Sequence, residues 1–88
     1  MAGTDPTKLP ETLTVELRTP LEFGGETYRQ ITLREPTAGE WAQWDDKKGV
    51  EADILAVSIV AGIPEPVVRK IGSRDLLQAS RFLAGFLA

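Results

Sequence analysis

Three features of this 88-residue chain predict an α+β fold: a single small domain with an N-terminal β-hairpin followed by a three- to four-helix C-terminal part. Apolar residues alternate as far as Leu33, with Leu13, Val15 and Leu17 in one run and Ile31 and Leu33 in another. That is the period of a half-buried strand. Beyond Pro36 the apolar spacing becomes helical. Between the two regimes, Thr37 is followed three residues later by Glu40. This is a capping box: the Thr hydroxyl can accept from the Glu40 N–H, and the Glu40 carboxylate can accept from the Thr37 N–H. Pro36 holds Glu35 extended and out of the helix. The stretch Ile31–Trp41 therefore contains a strand end, a corner and a helix start.

The division that follows is an arm over residues 1–11 and a domain over residues 12–88, with residues 12–35 as hairpin and 37–88 helical. Met1–Glu11 is polar and carries Pro6 and Pro10, with Leu9 its one sizeable apolar side chain, so it reads as a loose arm. In the first strand Leu13, Val15 and Leu17 alternate with Thr14, Glu16 and Arg18. Thr19-Pro20 interrupts the pairing, because Pro20 has no N–H to donate. Gly24-Gly25 marks the turn, and the second strand runs over 26–34. A two-residue turn alone would pair Phe23 with Glu26 and Leu17 with Thr32, which puts Leu17 and Ile31 on opposite faces. An odd-residue offset repairs this. It can come from a three-residue loop, Phe23-Gly24-Gly25, or from a bulge at Thr19-Pro20; either would pair Leu17 with Ile31 and Val15 with Leu33.

A lone hairpin is marginal in water, so the helices must cover it. The first is expected from about Ala38 to Lys48, with Trp44 one turn from Trp41, Trp41 lying on the hairpin and Trp44 half exposed. Lys47 and Lys48 suit its C-terminal end, and Gly49 suits a left-handed cap. The second, about Glu51–Ala61, is apolar on most of its circumference and should be the most buried; Gly62 closes it at C′. Pro64-Glu65-Pro66 opens a short third helix carrying Val67, Val68 and Ile71, and Gly72 stops it. Ser73 is read as the cap of the last helix, with Asp75 in its first turn. Its apolar positions, from Leu76 to Leu87, cover more than half of its circumference.

Composition narrows the chemistry. The chain has no cysteine and no histidine, so there is no disulfide, no thiolate metal site and no imidazole base. The residues of Met1–Glu11 do not form a basic-then-apolar signal sequence, and no apolar run is long enough to cross a bilayer, so a soluble intracellular protein without a membrane partner is expected. Asp45 and Asp46, with Asp53, are poor candidates for a metal site, because neighbouring helix positions point about 100° apart. Ser58, Ser73 and Ser80 lack an activating base. Gly24-Gly25 lacks the strand–loop–helix setting of a phosphate loop. No catalytic residue, cofactor or metal is expected.

The net charge of −3 argues against nucleic acid as a partner. It is unevenly spread: residues 1–46 hold nine acids and four bases, net −5, and residues 47–88 four acids and six bases, net +2. The short helix, Gly72-Ser73 and the last helix do resemble a helix-turn-helix in outline, so a small DNA-binding regulator is the alternative. Against it, Leu76 and Leu77 sit among Arg74 and Gln78. The last helix instead looks like surplus apolar surface. Phe82, Leu83, Phe86 and Leu87 fall within six positions, and a patch of several hundred Å² on a soluble protein signals a partner. Together with Trp44, these four are the candidate partner-binding residues, and a homo-oligomer is expected to shield them.

From Leu13 to Leu87 the chain resembles the tail assembly chaperones of Mu-like and P2-like contractile-tailed bacteriophages. The resemblance rests on Leu21-Glu22-Phe23-Gly24-Gly25-Glu26-Thr27-Tyr28 and, most specifically, on Ile31-Thr32-Leu33-Arg34-Glu35-Pro36-Thr37-Ala38-Gly39-Glu40. It also rests on the helix closing in Ala61-Gly62-Ile63-Pro64 and on the ending Ser73-Arg74-Asp75-Leu76 through Phe82-Leu83-Ala84-Gly85-Phe86-Leu87. It implies a non-enzymatic protein of the bacterial host cytoplasm. Such a protein binds the tape-measure protein, keeps it soluble and is absent from the mature virion. It implies, too, a longer companion made by ribosomal slippage. A structural tail or connector subunit retained in the particle is the other alternative.

Overall fold

In a computed structural model, which describes residues 12–87, β1 (Thr12–Phe23) and β2 (Glu26–Arg34) form a two-stranded antiparallel hairpin. The expected arm over 1–11 lies outside the described residues. Gly24 and Gly25 sit at φ 60° and 83°, the positive values that a two-residue type I′ turn demands at both positions. Phe23 pairs with Glu26 and Leu21 with Tyr28, so the three-residue loop does not form. The odd offset arises from the other route. The ladder breaks between Glu16 and Leu21 and resumes as Glu16–Gln30, Val15–Ile31 and Leu13–Leu33. The segment Leu17–Pro20 stands opposite Arg29 alone, a larger irregularity than a one-residue bulge. The expected pairs Leu17–Ile31 and Val15–Leu33 are consequently displaced two positions along β2. Pro20 falls inside the break, where its missing N–H removes no ladder bond.

The break also divides the hairpin into two halves with opposite apolar faces. Side chains alternate along uninterrupted β2, so Ile31 and Leu33 point to one side and Glu26 and Tyr28 to the other. Val15 follows Ile31 inward, and Val15, Leu17, Ile31 and Leu33 are all buried. Leu21 and Phe23 follow Tyr28 and Glu26 outward.

The helices are α1 (Ala38–Ala42), α2 (Gly49–Ala61), α3 (Glu65–Val68) and α4 (Ser73–Leu87). The corner is as the sequence predicts. Thr37 caps α1 with its side chain accepting from Glu40 N at 3.1 Å, and Thr37 N donates to Glu40 Oε1 at 2.9 Å. However, α1 ends at Ala42 rather than Lys48. Gln43, Trp44 and Lys47 instead donate to the carbonyls of Glu40, Trp41 and Trp44, three residues back. These tighter turns overwind the chain and carry Trp44 away from the side that Trp41 faces. Gly49 is left-handed, as expected, but stands as the first residue of α2, which begins two residues early. Gly62 closes α2 at φ 70°, with its N–H on Ser58 O at 2.9 Å. Leu76 N donates to Gly72 O, so α4 starts one residue earlier than a Ser73 cap requires.

The core lies between the inner hairpin face and a layer made by α2 and α4. The two helices pack on each other, α2 also on β2 and α4 chiefly on β1. Ile54, Ala56, Val57 and Val60 come from α2, Val68 from α3, and Ala79 and Leu83 from α4. The expectation that α2 is the central helix holds.

Candidate functional site

Among the five candidate partner-binding residues, two are interior. Trp44 is 6% exposed and Leu83 2%, and both belong to the core. The expectation that Trp44 is half exposed and Trp41 lies on the hairpin is reversed: Trp41 is 41% exposed. The overwound segment after Ala42 is the physical reason. For Leu83, the reason is that it follows Asp75 and Ala79 along the inner stripe of α4. Phe82, Phe86 and Leu87 are half-buried near the end of α4. The Phe82 and Phe86 rings meet edge to face, with centroids 5.1 Å apart. Each therefore keeps part of its apolar surface open.

The opposite stripe of α4 carries Arg74, Leu77, Gln78 and Arg81, spaced i, i+3, i+4, i+7 and lining a shallow depression. Leu77 is 47% exposed. In the sequence Leu77 counts among the apolar positions that cover more than half of this helix. Its polar neighbours at i−3, i+1 and i+4 were the signal that it faces out. The same stripe bears the basic and amide side chains that a recognition helix would use. Yet α3, the helix that would precede it, has only the four residues Glu65–Val68, with Val67 and Val68 buried.

Two carboxylates are committed to the fold. Asp75 is buried and accepts from the Arg18 backbone N–H at 3.2 Å. That N–H belongs to the broken part of the ladder, where β2 offers it no paired residue. α4 supplies the acceptor, which ties the last helix to the first strand. Glu40 receives two bonds from the Arg34 guanidinium, at 2.8 and 2.7 Å, besides the Thr37 N–H. The Arg34 bonds first, and the Thr37 backbone bond second, hold its carboxyl down at about 2 against an ordinary 4.5. On the surface Arg69 bridges Glu51 of α2 and Glu65 of α3, at 2.6 and 3.2 Å.

The remaining polar candidates do not converge. Asp45 and Asp46 are exposed in the turn after α1, and among the described residues no three carboxylates gather where they could hold a metal ion. The Ser58 hydroxyl donates to Ile63 O at 2.7 Å and the Ser80 hydroxyl to Leu77 O at 3.2 Å, both local bonds of helix structure. Among the described residues no helix is long and apolar enough to cross a membrane.

Compared with known proteins, no curated protein and no solved structure matches this chain. A family model described as "Phage tail assembly chaperone proteins, E, or 41 or 14" matches residues 14–88.

Proposed function

Because the chain belongs to the phage tail assembly chaperone family, we propose that it binds the tape-measure protein and keeps it soluble while the tail is built, without catalysing a reaction. The observation that carries this reading is the family match over residues 14–88. The half-open end of α4 supports it. A client that is long, helical and prone to aggregate can lay its apolar face along Phe82, Phe86 and Leu87, the helix-in-groove mode of recognition. The segment Ile31–Glu40 further supports a place among the Mu-like and P2-like contractile-tailed phages. On this reading the protein works in the host cytoplasm, partners a longer slippage product of the same gene, and is left out of the finished particle.

Co-expression with the neighbouring tape-measure gene tests the reading: the client is expected in the soluble fraction and in a pull-down through this chain. A client that remains insoluble, or soluble but uncaptured, overturns it. Mass spectrometry of purified virions separates the chaperone from a retained tail subunit, since only the latter is recovered with the particle. Phe86→Asp is expected to leave the domain folded and weaken capture. Leu83→Asp is expected to unfold it, because that side chain is interior.

A further inference from the structure

The outer face of the distal hairpin lies opposite the core side of β2, and neither Leu21 nor Phe23 belongs to the core or packs against it. Leu21 and Tyr28 are half-buried there, Phe23 is 41% exposed, and Glu26 shares the face with them. The break at Leu17–Pro20 creates this face, because it turns the distal apolar residues away from the core. Glu26 is the charged residue of this face, since Glu22 pairs with Thr27 on the other side of the ladder. On the far helical layer, the outward stripe of α4 has the complementary make-up. Leu77 is exposed between Arg74 and Arg81, and among the described residues no ion pair engages either arginine. The one acid in the first turn of α4, Asp75, is turned inward onto Arg18 N, so the stripe is purely basic. A tip face with an aromatic ring and one carboxylate, and a basic, leucine-centred depression, are thus present on one chain.

We propose that the distal hairpin of one copy docks on the α4 stripe of a second copy, with Phe23 over Leu77 and Glu26 facing Arg74 and Arg81. The two surfaces differ, so the contact is heterologous and propagates head to tail into a ring or an open chain. A hairpin tip against half a helix is a small interface, below about 1,200 Å² in total, so association is reversible and rises with concentration. Exposed ion pairs flank it, so it weakens with salt. The contact leaves Phe82, Phe86 and Leu87 clear and does not depend on client binding.

Sedimentation velocity on the full chain, over a concentration series at low and high salt, tests this. Wild type is expected to shift to faster species with concentration, and less so in high salt. Phe23→Asp and, separately, the double variant Arg74→Glu/Arg81→Glu are expected to sediment as monomers with unchanged circular dichroism. Each retains one working surface, so an equimolar mixture of the two is expected to recover a dimer and nothing larger. Phe23→Ser serves in place of Phe23→Asp if the latter unfolds. A wild type that stays monomeric overturns the proposal, as do variants that associate like wild type or a mixture that recovers no dimer. If the arginine variant associates normally but loses binding to duplex DNA, that stripe is a nucleic-acid surface and the proposal fails. A monomeric wild type that still captures its client overturns the self-contact and leaves the chaperone reading standing.

Discussion

Single residues hold the joints of this molecule, and three of them are testable in isolation. Thr37 caps α1 and removes two orphaned donors together with Glu40; Thr37→Ala is expected to cost about 1 kcal/mol, read as a lower urea midpoint. Glu40 links that cap to the end of β2 through Arg34. Its carboxyl titrates at about 2 when folded and nearer 4.5 when not. As pH falls through that window, the unfolded chain takes up the proton first, so stability is lost between about 4.5 and about 2 and is fully present above it. Carbon-detected NMR titration of the Glu40 side chain reads this directly. Arg34→Gln is expected to bring the carboxyl back up towards its ordinary value. Asp75 answers a different need. Asp75→Ala removes the part-buried bond from the Arg18 N–H and is expected to cost about 0.5–1.5 kcal/mol, read in urea. Asp75→Asn keeps an acceptor oxygen and should cost less. The Thr37–Glu40 cap was legible in the sequence because both partners lie within one helical turn. Asp75 was readable only as a first-turn acid, because its partner is 57 positions away and is a backbone group.

At the scale of elements, local signals and long-range ones separate cleanly. The hairpin, the left-handed Gly62 that ends α2 and the all-round apolar character of α2 are written in neighbouring residues. The parity of the hairpin offset could be inferred from Leu17 and Ile31, and its site from Thr19-Pro20. Its size could not, because the length of the break is set by how β1 meets α4. The same holds for α1: its start is encoded by the cap, whereas its early end depends on the burial that Trp44 gains by leaving the helix. Among the candidate contact residues, Phe82, Phe86 and Leu87 are half-buried at the rim whereas Trp44 and Leu83 are interior, since apolarity alone does not distinguish a core stripe from its rim. The inverted faces of the hairpin make a sharp prediction. Leu33→Ala, on the inner face, is expected to cost about 2–5 kcal/mol. Leu21→Ala, on the outer face, is expected to cost under about 1.5 kcal/mol, the lower bound for losing a fully buried leucine. Chemical unfolding of the two variants side by side decides it; equal losses would mean the distal half packs inward after all.

For the molecule as a whole, α4 joins the hairpin to the central helix, since it packs on β1, β2 and α2. Its inner stripe completes the core with Ala79 and Leu83, its first turn anchors β1 through Asp75, and its far end keeps Phe82, Phe86 and Leu87 partly open. A fold this small gives one helix several tasks because it has few others to share them with. The burial of Trp44 shows the same economy: Trp44→Ala is expected to cost about 3–5 kcal/mol in thermal or urea unfolding, and Trp41→Ala much less. That pair of indoles also equips the chain with its own optical gauge. One emitter stands partly in water, within reach of a dissolved quencher such as iodide, while the other is screened among aliphatic groups until the interior opens. A dimming that responds to iodide alone would report on what covers the outside. A red shift of the shielded emission would report on melting, so docking and denaturation can be told apart in one cuvette without attaching any dye.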